Sequence, residues 1–189
     1  MNAVIDVTNV TLKTKRLTLR HWRQSDLDDL FEYASVDGVG QMVGWLPHKT
    51  KEESQKILDF FKASKKIFCV EYNGKAIGSF TIEDARETYL QEISDYKIRE
   101  LGFVIGKPYW GQGLMAEAVE EVLRYLFEEC DVDVVVFPYF TWNLRAGKLM
   151  KKCHFDLYQK IRVTTLISGE ETIVQGLYWK EDWEDRHGK

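Results

Sequence analysis

Residues Glu100 to Ala118 read ELGFVIGKPYWGQGLMAEA. An apolar run, Leu101 to Ile105, leads into a turn holding Gly106 and Pro108. Gly111 and Gly113 follow, and an amphipathic helix is expected from Leu114. Strand, glycine-rich loop and helix N-terminus in this order suit a pyrophosphate. The first amides of a helix lack intrahelical partners and sit at the positive end of its dipole. Glycines let backbone N–H groups approach phosphate oxygens with no Cβ in the way. The stretch lacks G-x-x-x-x-G-K-[ST], which sets a P-loop aside, and Ala116 stands where G-x-G-x-x-G has its third glycine. A dinucleotide-binding loop and a ligand-free strand-to-helix turn stay open on this stretch alone.

The rest of the chain narrows the choice. Its 189 residues, 44% hydrophobic and 30% charged, suit one soluble domain, residues 1–189, with a sizeable core. No apolar run approaches the ~20 residues that span a bilayer, and no signal-peptide pattern opens the chain. A cytoplasmic location and no membrane partner are expected. Cys69, Cys130 and Cys153 form no C-x-x-C, and the four histidines do not join them at ligand spacing, so neither disulfides nor a metal are expected. A net charge of −4 argues against a nucleic-acid partner.

Periodicity predicts a first strand over Thr11 to His21, then a helix capped by Ser25, with Leu27, Leu30, Phe31 and Ala34 inward. Thr50 and Glu53 suggest a capping box for a second helix carrying Ile57, Leu58 and Phe61. Ile67 to Tyr72 and Ala76 to Ile82 flank Asn73-Gly74, the favoured dipeptide of a type I′ hairpin. Glu83 to Lys97 reads as a polar, exposed excursion. A central strand over Arg99 to Ile105 precedes a helix over Leu114 to Glu129, with Met115, Ala118, Val119, Val122 and Leu126 on its core face. A strand over Val132 to Phe137, a helix opened by Asn143, and a hairpin of Tyr158 to Ile167 with Thr172 to Trp179 complete an α+β domain with a largely antiparallel sheet.

The order and spacing of these segments resemble the GNAT superfamily of N-acetyltransferases, in the branch similar to RimJ/RimL ribosomal-protein N-terminal acetyltransferases. Four segments carry the resemblance: Leu12 to Arg20 (LKTKRLTLR), Glu100 to Ala118, Asn143 to Phe155 (NLRAGKLMKKCHF) and Gly176 to Trp183 (GLYWKEDW). The chain departs from the superfamily's Q/R-x-x-G-x-G/A at Trp110 and Met115. His154 stands where a Gly usually precedes Phe155.

The resemblance implies a mixed, mostly antiparallel sheet of about seven strands flanked by helices, with a splayed central strand pair. It implies acetyl-CoA as co-substrate, its pantetheine arm paired with Phe103, Val104 and Ile105. The pyrophosphate would lie on the loop from Trp110 through Gly111, Gln112, Gly113, Leu114 and Met115. Asn143 would cap its helix or contact the coenzyme, and Lys148 would attract its 3′-phosphate. An amine attacks the thioester directly, and Glu100 is the candidate base, on the same strand face as Gly102 and Val104. The family's usual proton donors are replaced by Ala146 and Met150, leaving Tyr139, Tyr158 or water. Trp45, Tyr33 and Tyr139 are candidate acceptor-binding aromatics. The acceptor would be a small-molecule amine or a protein N-terminus, and the protein a monomer or homodimer. Two competing readings are a non-catalytic acyl-CoA-binding module and a dinucleotide-binding oxidoreductase, the latter requiring a parallel sheet.

Overall fold

A computed structural model describes residues 1–188. Eight strands form one sheet in the order β1-β2-β3-β4-β5-β6-β8-β7. They are β1 (Leu12–Lys13), β2 (Leu17–Arg20), β3 (Ile67–Tyr72), β4 (Lys75–Glu83), β5 (Ile98–Ile105), β6 (Val134–Phe140), β7 (Asp156–Thr165) and β8 (Gly169–Trp179). The helices are α1 (Leu27–Ala34), α2 (Lys51–Ala63), α3 (Leu114–Arg124), α4 (Leu144–Lys152) and α5 (Lys180–His187). Neighbouring strands run antiparallel except β5 with β6. A sheet with one parallel pair lacks the repeated β-α-β units of the dinucleotide fold.

Strand alternation gives the sheet two faces. On one, Leu101, Phe137, Val174 and Tyr178 pack against the buried stripe of α3, formed by Leu114, Met115, Ala118, Val119 and Val122. Each fully buried Val or Leu there contributes about 1.5–3 kcal/mol. On the other face α1 and α2 cover Ile67, Cys69, Ala76 and Val104.

Local chemistry adjusts several expected boundaries. The first strand is broken into β1 and β2 because Thr14 Oγ1 accepts the Leu17 N–H (2.8 Å), forming a side-chain turn. Asp26, not Ser25, holds the N-cap position of α1, and its side chain closes the 3₁₀ turn ahead of the helix, not the helix itself. Its carboxylate accepts the Arg23 N–H (2.7 Å) and pairs with Arg20 at 2.9 Å, both side chains being buried. Thr50 does cap α2, accepting the Glu53 N–H at 3.3 Å, while the Glu53 carboxylate reaches the Lys49 N–H. The segment between β4 and β5 is not simply exposed: Ala85, Leu90 and Ile93 are buried beside Ile98, Val136 and Leu177. Past Arg124, the helix loosens into a π turn over Tyr125–Glu129. His154 takes φ 63°, the left-handed conformation that glycine most readily adopts after a helix.

The decisive feature lies between β5 and β6. They pair only at Ile98–Val134, Arg99–Val135 and Glu100–Val136, although β5 runs on to Ile105 and β6 to Phe140. The bonds Lys180 N–H to Asp133 O and Thr141 N–H to Thr172 O assign the odd-numbered residues of β6 to the β8 ladder. Val134, Val136, Pro138 and Phe140 therefore turn their backbone toward β5. The Val134 N–H meets Lys97 O at 3.2 Å. Continuing that register, the next inward N–H but one belongs to position 138 and would meet Leu101 O. Proline has none. The same geometry explains why β6 runs past Phe137: the β8 ladder never needs the missing donor.

Gly78 on β4 backs this region. A Cβ there would lie 2.2 Å from Val104 O. Replacing Gly78 with Ala should push β4 off β5 and cost about 1–3 kcal/mol, read as a lowered thermal midpoint. An unchanged midpoint would refute the close approach.

Candidate active site

The opening between β5 and β6 is the mouth of a cavity of about 780 Å³. That volume lies within the ~300–1,000 Å³ typical of small-molecule sites. One end is formed by Tyr109, Trp110, Gly111 and Gly113 with the start of α3; the other lies beneath the β4–β5 excursion and the β7–β8 hairpin.

Gly111 and Gly113 both take positive φ, 74° and 76°, which turns successive N–H groups toward one side ahead of α3. The Glu117 N–H is the first to bond back, to Gly113 O, leaving the amides of Leu114, Met115 and Ala116 unclaimed by the helix. Trp110 is pinned by its indole N–H, which donates to Ile105 O at 2.7 Å, and by the Arg145 guanidinium 3.9 Å from its ring centroid. Gln112 turns away from the cavity and donates to Pro108 O at 2.7 Å, bracing the loop.

Two cations approach Gly113: Lys152 Nζ and Arg16 Nη2 stand 3.6 and 3.7 Å from where its Cβ would be. Arg16 is oriented by Glu117 (2.9 Å) and Gln112 O (3.1 Å). Lys148 lines the cavity nearby. Asn143 caps α4 through its Oδ1, which accepts the Ala146 N–H at 3.2 Å, and its Nδ2 donates to Met42 O, tying α4 to the α1–α2 connection.

Along β5 the ladder alternates. The Gly106 N–H bonds Ile77 O, so Val104 and Gly102 turn their backbone to β4. Leu101, Phe103 and Ile105 turn theirs to the opening. Trp110 already occupies Ile105 O. The Phe103 N–H and C=O and the Ile105 N–H remain, a short unpaired strand edge. Phe103, Val104 and Ile105 all line the cavity, but Val104 does so through its side chain.

Glu100 also lines the cavity. Burial pushes its carboxyl up to about 7; Arg86 pulls it down and Glu83 pushes it up, both less strongly. Tyr139 lies at the cavity wall against α4, its ring within 3.1–3.3 Å of where a Cβ on Gly147 would be. Tyr33, Trp45 and Tyr158 fall outside the lining. Tyr33 belongs to α1 and is buried in the core between that helix and the sheet. Trp45 covers Gly40 and packs on His48, a loop aromatic that completes the α1–α2 core. Tyr158 donates to Glu92 at 3.3 Å and closes the third cluster. Conversely, Arg16, Glu83, Arg86 and Gln175 join the site with no local sequence signal, because each arrives from a remote strand or loop.

With this geometry in view, the comparisons are consistent with one another. Residues 16–156 match the family model described as Acetyltransferase (GNAT) domain. The chain belongs to the GNAT acetyltransferase family. It is 23% identical over 155 residues to an uncharacterized N-acetyltransferase, p20, from Bacillus licheniformis, covering 77% of this chain and 82% of that one. It shares its fold with a protein named as a ribosomal-protein-serine acetyltransferase from Vibrio cholerae. The TM-score is 0.74 at 19% identity, covering 92% of this chain and 99% of that one. It is likewise similar in fold to the Microcin C7 self immunity acetyltransferase MccE, solved with acetyl-CoA and AMP. There the TM-score is 0.74 at 13% identity, covering 87% and 93%.

The Glu100 shift carries a stability signature. Its ordinary value is 4.5 and its folded value about 7. Between these the folded chain holds a proton that the unfolded chain has released. The contribution is complete below pH 4.5, falls as pH rises to about 7, and is then lost. The thermal midpoint of the Glu100→Gln variant should therefore gain on that of the unmodified protein across this window. Parallel curves from pH 4.5 to 8 would contradict the buried carboxyl.

Proposed function

We propose that residues 1–189 act as one cytoplasmic acetyltransferase domain that moves an acetyl group from acetyl-CoA to a primary amine by direct attack on the thioester. The observation that carries this reading is the unpaired edge of β5 beyond Glu100, which leads to the loop before α3 within one cavity. Free backbone groups at Phe103 and Ile105 suit an amide-bearing pantetheine arm. The Gly111–Ala116 amides, with Arg16, Lys152 and Lys148 around them, suit phosphates.

The amine nitrogen forms the new N–C bond as the C–S bond breaks. Glu100 takes one amine proton, directly or through a water. A β5 N–H turned to the opening stabilises the oxyanion. The leaving thiolate, with a pKa of about 8.5, needs little help; Tyr139 or a water supplies its proton. The acceptor is a protein N-terminal amine or a small-molecule amine. The resemblance to the RimJ/RimL branch, and the name of the Vibrio cholerae protein, support the first. A non-catalytic acyl-CoA-binding module is the second reading, favoured by the absence of a hydroxyl at Ala146 and Met150.

Steady-state thiol release from acetyl-CoA with an amine panel decides between them. The rate should rise with pH through about 7 as Glu100 ionises. Glu100→Gln should lower kcat by about 10²–10⁴-fold and remove that limb. Binding of acetyl-CoA without turnover on any amine would establish the module instead.

A further inference from the structure

Gln175 sits on β8 and is 1% exposed, yet it lines the cavity. Its orientation follows from a chain of hydrogen bonds. Tyr89 C=O accepts only, so Gln159 must present its NH₂ there, which it does at 2.5 Å. The same Gln159 Nε2 donates to Gln175 Oε1 at 2.8 Å. Gln175 is thereby held with its oxygen inward, and its own Nε2 donates to nothing among the described residues. That Nε2 is not among the fully enclosed side-chain atoms without a partner, so it reaches the cavity with its donors free for a ligand, while Gln159 ties the excursion through Tyr89 O.

Through Gln159, Gln175 lies beside Tyr89, at the cavity end beneath the excursion between β4 and β5. Gln175 stands opposite Pro138, on the sheet face shared with Glu100. Glu100 pairs with Val136 and Gln175 with Pro138, so their Cα atoms are two strands apart and two residues offset, about 12 Å in a flat sheet. The lining there is mixed: Phe140, Ile161, Val163 and Ile173 are apolar, and Glu83 and Arg86 are charged. We infer that Gln175 reads the acceptor, donating a hydrogen bond to a carbonyl oxygen beside the reacting amine, so that the preferred acceptors are α-amino carbonyl compounds with an apolar side chain. This rests on the acetyltransferase reading above. A second feature agrees with it: an α-amine has a pKa of about 8, against about 10.4 for a lysine-type amine. The former is the better match to a Glu100 that ionises near 7.

The test compares leucinamide with 3-methylbutylamine, the same skeleton without the carbonyl. Values of kcat/KM are referred to the neutral amine. The unmodified protein should favour leucinamide by at least about tenfold, since a site built to hydrogen-bond a group rejects the analogue lacking it. Gln175→Met should bring the ratio toward one. Gln159→Leu, which frees the Gln175 amide without removing it, should bring it partway and carries the test if Gln175→Met does not fold. A raised thermal midpoint with acetyl-CoA certifies each variant. A ratio near one in the unmodified protein, or a ratio retained in both variants, overturns the inference while acetyl-CoA binding stands. Failure of the unmodified protein to bind acetyl-CoA overturns the acetyltransferase reading and this inference with it.

Discussion

A parallel strand pair stays closed while each inward N–H finds a carbonyl on its neighbour. Between β5 and β6 that condition holds as far as Val136 and lapses at Pro138, where the ring removes the donor that Leu101 O would accept. Beyond that point the strands have no shared ladder to hold them. The fold tolerates the lapse because Pro138 faces the opening, and its neighbours Phe137 and Tyr139 bond β8. An unpaired strand edge in the middle of a sheet normally invites another strand. Here it opens onto a cavity that leads to a helix N-terminus, so one extended, amide-bearing ligand can satisfy both ends.

The electrostatics grade along the same cavity. Arg16, Lys148 and Lys152 gather at the end by Gly113 and α3, and Glu83, Arg86 and Glu100 at the other. Glu100 is raised chiefly by desolvation, so its basicity depends on the excursion between β4 and β5 staying in place. That excursion is held by the buried side chains of Ala85, Leu90 and Ile93 and by the Gln159 bond to Tyr89 O. Cover and chemistry are therefore coupled: loosening the cover would hydrate Glu100 and return it toward an ordinary carboxyl.

Local patterns were the legible part of the chain. The apolar period of α3, the Asn73-Gly74 turn, the Asn143 cap and the glycines ahead of Leu114 each depend on residues a few positions apart, and each appears as read. Glu100 was legible as a candidate because strand alternation fixes its face. What stayed hidden depends on remote neighbours. Arg16 meets Gly113 only because β1 and β2 sit at the sheet edge beside α3. Trp45, Tyr33 and Tyr158 carry the same aromatic character whether they line a cleft or fill a core, and packing sent all three away from the cavity. The excursion looked polar by composition, yet three spaced apolar residues suffice to bury its inner side.

The central claim is that β5 presents Phe103 and Ile105, and not Val104, as free backbone to acetyl-CoA. Amide hydrogen exchange followed residue by residue by NMR, with and without saturating acetyl-CoA, tests it directly. Gly102 and Val104, bonded to β4, should be slow in both states, while Phe103 and Ile105 should exchange faster alone and slow sharply on binding. Equal protection of all four without the ligand would mean that the edge is already paired. Fast exchange at Phe103 and Ile105 under saturating acetyl-CoA would mean that the coenzyme binds elsewhere, and either result would contradict the account.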